Sequence, residues 1–294
     1  MSVSIFLNSR RKLRNIWWVA VFFLVLAVFT FPVILLSQQY KFEISIYLQA
    51  IIVLITSVIC QRMRRHSFNE LLGTPGFGWI KELFKGLLLG GGLMFAPAIC
   101  LWLMGVVSWQ QQTFDGMSLI NATAIFVFVS IAEELLFRGF VFQRFVGGIG
   151  IWPAQIIMAA YFLLNHINNP GIEGNIKLLA GFNIFLASIL FGFAFIKTGS
   201  LAMPIGIHFM ANWTQGVLLG FGVSGNEQVS FLKPVFKETS PLLTGGKFGL
   251  EASLPGLLFL ILFLLILYKW KPVSRPKDRE IVPFIPKKFM EKSQ

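Results

Sequence analysis

Ten residues of the chain, Ser130-Ile-Ala-Glu133-Glu134-Leu-Leu-Phe-Arg138-Gly139, hold two adjacent carboxylates and an arginine four positions after the second. On a helix, Glu134 and Arg138 share one face and Glu133 points about 100° away. Arg138 can then neutralise and hold Glu134, which leaves Glu133 to face a cavity. Loss of water and a like-charged neighbour both strengthen a carboxylate as a base. Taken alone, the stretch also reads as a Glu-Arg flank marking the membrane edge.

Only three histidines occur in the chain, and two lie in or at the ends of apolar stretches. His166 closes Phe162-Leu-Leu-Asn-His166 and is followed by Asn168, Asn169, Pro170 and Gly171; His208 opens His208-Phe-Met-Ala-Asn212, which puts His208 and Asn212 on one helix face. A single histidine at such a place is often a structural hydrogen-bonding group. Two of them together with a carboxylate pair suit peptide hydrolysis, which needs an activated water, a site for the oxyanion and a proton for the leaving amine. Glu133 with His166 could polarise the water, and His208 with the Asn212 amide could donate to the oxyanion. The same donors also permit a divalent metal such as zinc with an open position, and spacing does not separate the two mechanisms.

Other hydrolytic and cofactor chemistries lack their residues. No His-Glu-x-x-His run, Gly-x-Ser-x-Gly elbow, P-loop or dinucleotide fingerprint occurs. The only aspartates are Asp115, in an expected loop, and Asp278, in the tail, so a pair of intramembrane aspartates is excluded.

The elements that must carry these groups are membrane helices. Of 294 residues, 55% are hydrophobic and 13% charged, with 32 Phe and a mean hydropathy of +0.73; a water-soluble domain does not have this composition. The expected fold is an all-α polytopic bundle of about eight transmembrane helices around an intramembrane polar cavity, with spans near 16–36, 44–60, 86–107, 119–137, 149–165, 176–196, 201–221 and 254–268. The first, behind Arg10, Arg11, Lys12 and Arg14, reads as a retained helix and not a cleaved signal. A short interfacial helix is expected at 79–84 and a long loop at 222–253, where Pro234, Pro241, Gly245 and Gly246 break regular structure. The divisions are 1–115, N-terminal helices; 116–222, catalytic core; and 223–294, loop, last helix and basic tail. No internal repeat supports a transporter of inverted halves.

The formal charge of +12 could signal nucleic acid, but its distribution favours the membrane. With the N-terminus in the cytoplasm, alternation through eight spans leaves only Lys41, Lys177, Lys233, Lys237 and Lys247 of the 25 Lys and Arg outside, the positive-inside pattern. Both termini are thus expected to be cytoplasmic. The basic tail reads as a solvated flank, with anionic lipid as an alternative contact. Cys60 and Cys100 lie in apolar segments and read as packing residues. If 119–137 and 149–165 form a hairpin about the Gly147, Gly148, Gly150 turn, Glu133 and His166 fall at one level. His208, about nine residues from the Thr198-Gly199 turn, joins them in a pocket expected to open to the cytoplasm.

Glu133-Glu134-x-x-x-Arg138-Gly139, Phe162-x-x-x-His166 and His208-x-x-x-Asn212, in this order on successive apolar helices, resemble the CAAX protease and bacteriocin-processing (CPBP, or Abi) family of intramembrane proteases. The resemblance covers roughly residues 120–222. It implies an all-helical membrane fold with a cytoplasm-facing cavity, in which Glu133 and His166 activate water and His208 and Asn212 form the oxyanion site, with Glu134 and Arg138 supporting them. It also implies a membrane-anchored or prenylated-like peptide substrate, membrane lipid as surroundings and a bacterial plasma membrane as the setting, with no nucleic acid partner. Some relatives are tied to bacteriocin immunity, so a non-catalytic immunity or scaffold protein is the alternative. The family has been described both as metalloproteases and as glutamate-dependent proteases.

Overall fold

The computed structural model describes residues 5–8, 11–237 and 240–270; the basic tail expected after residue 270 lies outside them. The long helices are α1 (Asn15–Tyr40), α2 (Ile46–Met63), α4 (Phe77–Leu103), α5 (Gly116–Glu134), α6 (Val141–Ile149), α7 (Ile151–His166), α8 (Lys177–Thr198), α9 (Ala202–Trp213) and α11 (Leu254–Lys269). Two four-residue helices, α3 (Asn69–Leu72) and α10 (Pro241–Thr244), lie in connections. Each of the eight apolar segments contains a helix. Five stretches are long and apolar enough to cross a membrane by length and composition: α1, α2, α4, α8 and the run Gly116–Ile149 that joins α5 to α6.

Helix starts follow local chemistry. Ser45, Asp115 and Ser253 each accept a hydrogen bond from a backbone N–H in the first turn of α2, α5 and α11, which satisfies a donor the helix leaves open. Asp115 is held below the usual carboxylate range by its bonds from the Ser118 N–H and hydroxyl. Gly150, at φ 91°, turns α6 into α7, and Gly199, at φ 60°, ends α8 with its N–H on the Phe195 carbonyl. Both conformations are left-handed and favour glycine.

α4 and α9 form the closest helix pair. A Cβ on Gly86 or Gly90 would collide with the Met203 or Ile207 carbonyl, and one on Gly206 with the Leu83 carbonyl. Small residues let the two backbones touch where lipid supplies no hydrophobic drive. Outward faces remain apolar, with Leu24, Val28, Leu88, Leu103, Ile120, Ile156, Leu178 and Leu258 exposed, as lipid contact requires.

Three local expectations change. Residues 79–84 are not a separate interfacial helix but the first turns of α4. The third span ends at Leu103, and β1 (Val107–Gln111) follows it. The 222–253 region contributes β2 (Leu232–Phe236), antiparallel to β1 with Trp109 opposite Pro234. Pro234 was read as a breaker, but its missing N–H costs nothing on the outer side of a two-stranded ribbon.

Candidate active site

α5 does not pass smoothly into α6. Leu135–Phe140 form a π-helical stretch in which Gly139 leaves the helical region at ψ −115°. Such wide turns re-aim side chains within a helix and recur at functional sites. Here Glu133 and Glu134 stand in the last turn of α5 and Arg138 in the wide turn itself.

Glu134 and Arg138 are sealed beneath the site, with side chains 0% and 1% exposed. Arg138 Nη1 donates to Glu134 Oε1 over 3.1 Å, and Nη2 donates to the Ser188 carbonyl and hydroxyl on α8 over 3.0 and 2.8 Å. The guanidinium also lies 5.0 Å from the centre of the Phe162 ring and 4.9 Å from that of Phe191. A charge pair without water needs this full set of partners. One Arg138 thus ties α8 to α5 through Ser188 and Glu134.

His208 on α9 donates from Nδ1 to the same Glu134 Oε1 over 2.9 Å, and its ring stacks on Phe191 at 5.0 Å. His166, the last residue of α7, places Nδ1 2.8 Å from the Phe162 carbonyl. A carbonyl only accepts, so Nδ1 carries the hydrogen and the neutral ring keeps its lone pair on Nε2. The Nε2 atoms of His166 and His208 each stand 3.9 Å from Glu133 Oε2. That oxygen is buried and makes no hydrogen bond to the protein.

These atoms line a cavity of about 320 Å³. Glu133, His166, His208 and Asn212 all face it, with apolar wall from Leu93, Ile125, Val129, Ile184 and Leu260. Its polar rim is Asn169, Ser224, Asn226, Gln228 and Glu251. Glu134 and Arg138 support it from below. Among the described residues, no group of three or more His, Cys, Asp or Glu side chains is arranged to hold a metal ion.

The rim includes residues not singled out in the sequence. Glu251 accepts from the Ser224 N–H and, over 3.2 Å, from its hydroxyl. Gln215 fixes this arrangement: its Nε2 donates to the Gly222 carbonyl over 2.6 Å and its Oε1 accepts from the Glu251 N–H over 3.2 Å. Burial pushes the Glu251 carboxyl above its ordinary range, against the lowering effect of Ser224 and the two histidines. A carboxylate in a 222–253 loop gives no sequence signal, since charged loop residues are ordinary. Asn183, buried on α8 with its amide on the Ser253 carbonyl, is a polar residue in an apolar span but carries no motif.

The depth of α9 differs from expectation. α9 does not begin at the membrane edge. Its start is buried and covered by the 72–79 segment, with the Leu201 N–H on the Leu72 carbonyl. Its contact with Gly86 and Gly90 sets His208 about 20 Å of helical rise from the start of α4, near mid-bundle. α7 ends at His166, about 22 Å from the Gly150 turn. Asn169, Ser224, Asn226, Gln228 and Glu251 therefore line the cavity from the end of the bundle away from the Gly150 and Gly199 turns.

Residues 115–214 match the family described as Rce1-like, type II CAAX prenyl endopeptidase. No curated protein and no solved structure matches the chain. The matched segment runs from the Asp115 cap of α5 into the π-helical turn after α9 and contains all six motif residues. At family level, this match supports a CAAX-type intramembrane protease. Over residues 115–214, the chain matches the CAAX protease family that its motifs resemble.

Proposed function

We propose that the chain is an intramembrane endopeptidase that hydrolyses a peptide bond in a membrane-anchored peptide or protein, with water activated by Glu133 and His166. The observation that carries this reading is Glu133 Oε2, 3.9 Å from the Nε2 atoms of both histidines on the wall of a cavity. Such a separation accommodates a water hydrogen-bonded to both sides.

Glu133 takes a proton from that water as its oxygen attacks the scissile carbonyl carbon, while the lone pair of His166 Nε2 accepts the second hydrogen and orients the nucleophile. The carbonyl oxygen gains the charge. His208, as imidazolium bonded to Glu134, offers Nε2–H to it, and the Asn212 amide, one turn further along α9, offers a second donor. Collapse breaks the carbon–nitrogen bond, and the proton on Glu133 passes to the leaving amine. The apolar wall suits a lipid chain or apolar side chains, and the polar rim suits the peptide.

The test compares peptide termini in membranes of cells making wild-type protein or Glu133→Gln at equal levels, by mass spectrometry of enriched new N- and C-termini. The exchange removes the base and nearly preserves shape. Termini specific to the wild type are expected and would name the substrates. Identical termini in both membranes would sink the catalytic reading and leave a binding or immunity role. The same preparation, treated with chelator and then supplied with zinc, decides whether turnover needs a metal.

A further inference from the structure

The two ends of the bundle differ in charge and in access to the cavity. One end gathers the start of α1, the end of α2, the start of α4, the α6–α7 and α8–α9 turns and the end of α11. These elements touch: the Arg144 guanidinium on α6 reaches Asn15 and Glu70, and Lys197 Nζ donates to the Tyr268 carbonyl. Arg11, Lys12, Arg14, Arg62, Arg64, Arg65, Lys81, Lys85, Lys197 and Lys269 belong to this end. Among the described residues, the opposite end carries Lys41, Lys177, Lys233, Lys237 and Lys247.

The rim of the cavity belongs wholly to the second end. Asn169 follows α7, Ser224, Asn226 and Gln228 follow α9, and Glu251 precedes α11. Tight backbone approaches build it: the Gly225 N–H bonds the Phe248 carbonyl, and a Cβ on Gly225 would collide with the Pro170 carbonyl. Toward the basic end the cavity is closed. Glu134, Arg138 and Ser188 are buried there, packed with Phe137, Phe162 and Phe191. Basic loops stay in the cytoplasm, so the cavity and the cytoplasm lie on opposite sides of this floor.

We infer that the cavity takes its substrate from the extracytoplasmic side: a membrane-anchored chain whose polar part emerges at the outer surface, with its apolar part against α5 and α8. This rests on the peptidase reading for what is cut, but not for the side from which it comes.

Cysteine labelling in intact cells tests it. In a full-length Cys60→Ser, Cys100→Ser background, Asn226→Cys marks the rim and exposed Thr74→Cys marks the basic end. A membrane-impermeant maleimide is applied before or after permeabilisation. Position 226 is expected to label in intact cells to at least half its permeabilised level, and position 74 at least ten-fold less. Labelling of position 226 only after permeabilisation overturns the inference. The reading needs no cleavage, so adding Glu133→Gln must leave the labelling unchanged. Absence of wild-type-specific termini would remove the peptidase reading alone, whereas a cytoplasmic rim with such termini intact would remove only the sidedness.

Discussion

Glu133 and Glu134 are adjacent in sequence but sit in different surroundings. Glu134 is fully enclosed between Arg138 and His208, whereas Glu133 is 24% exposed to the cavity. Removing one member of a buried ion pair strands the other, at about 3–5 kcal/mol. Glu134→Gln is therefore expected to lower the thermal unfolding midpoint in detergent by many degrees, while Glu133→Gln abolishes cleavage and leaves the midpoint nearly unchanged. Equal midpoints would mean that the two carboxylates share one role. Glu251 supplies a pH signature. Its folded carboxyl binds a proton more tightly than the unfolded one, so its contribution falls as pH rises through the ordinary carboxylate range and stays lost above the raised folded value. Glu251→Gln, which still accepts from Ser224, is expected to unfold later than wild type at neutral pH. That gain should vanish below about pH 4. A gain independent of pH would sink the assignment.

At the scale of elements, the site depends on the seam between α4 and α9. Gly86 and Gly90 bring α9 close enough to seat His208 opposite Glu133 and Glu134. Gly90→Ala must push α9 outward, with a cost of about 1–3 kcal/mol from overpacking. A displacement of His208 by about 1 Å can cost roughly a hundred-fold in rate. Cleavage should fall far more than stability, as turnover and thermal unfolding on the same preparation would show. Gly78→Ala, with open space around its Cβ, should change neither. The seam was only partly legible: Gly90 to Gly92 stand out as a small-residue run, but that Gly90 and Gly91 face Ile207 and Met210 on α9 while Gly92 faces Phe263 on α11 follows from packing. The π-helical turn at 135–140 was not legible, because no residue there forbids a regular helix.

For the whole molecule, buried Glu134, Arg138 and Ser188 close the cavity toward one end of the bundle, and loop residues line it at the other. Gln215 holds the 222–228 and 250–252 segments together at the mouth. Gln215→Ala is expected to loosen the rim and raise KM several-fold with a smaller change in kcat, because the residues proposed to carry the chemistry sit on α5, α7 and α9. A fall in kcat alone would place Gln215 in the chemistry and not in binding.

The sequence by itself determined the helical membrane class, the apolar segments and six residues whose polarity has no place in lipid unless they meet; they do meet, four on the cavity wall and two beneath it. Ionisable groups at membrane depth are conspicuous one residue at a time. Tertiary structure alone decided how deep they lie, which loops line the cavity with them and that Ser188, Glu251 and Gln215 join them. Those properties depend on α9 starting inside the bundle and α7 stopping short of its far end. Both follow from how helices pack against one another, which hydropathy along a single segment does not encode.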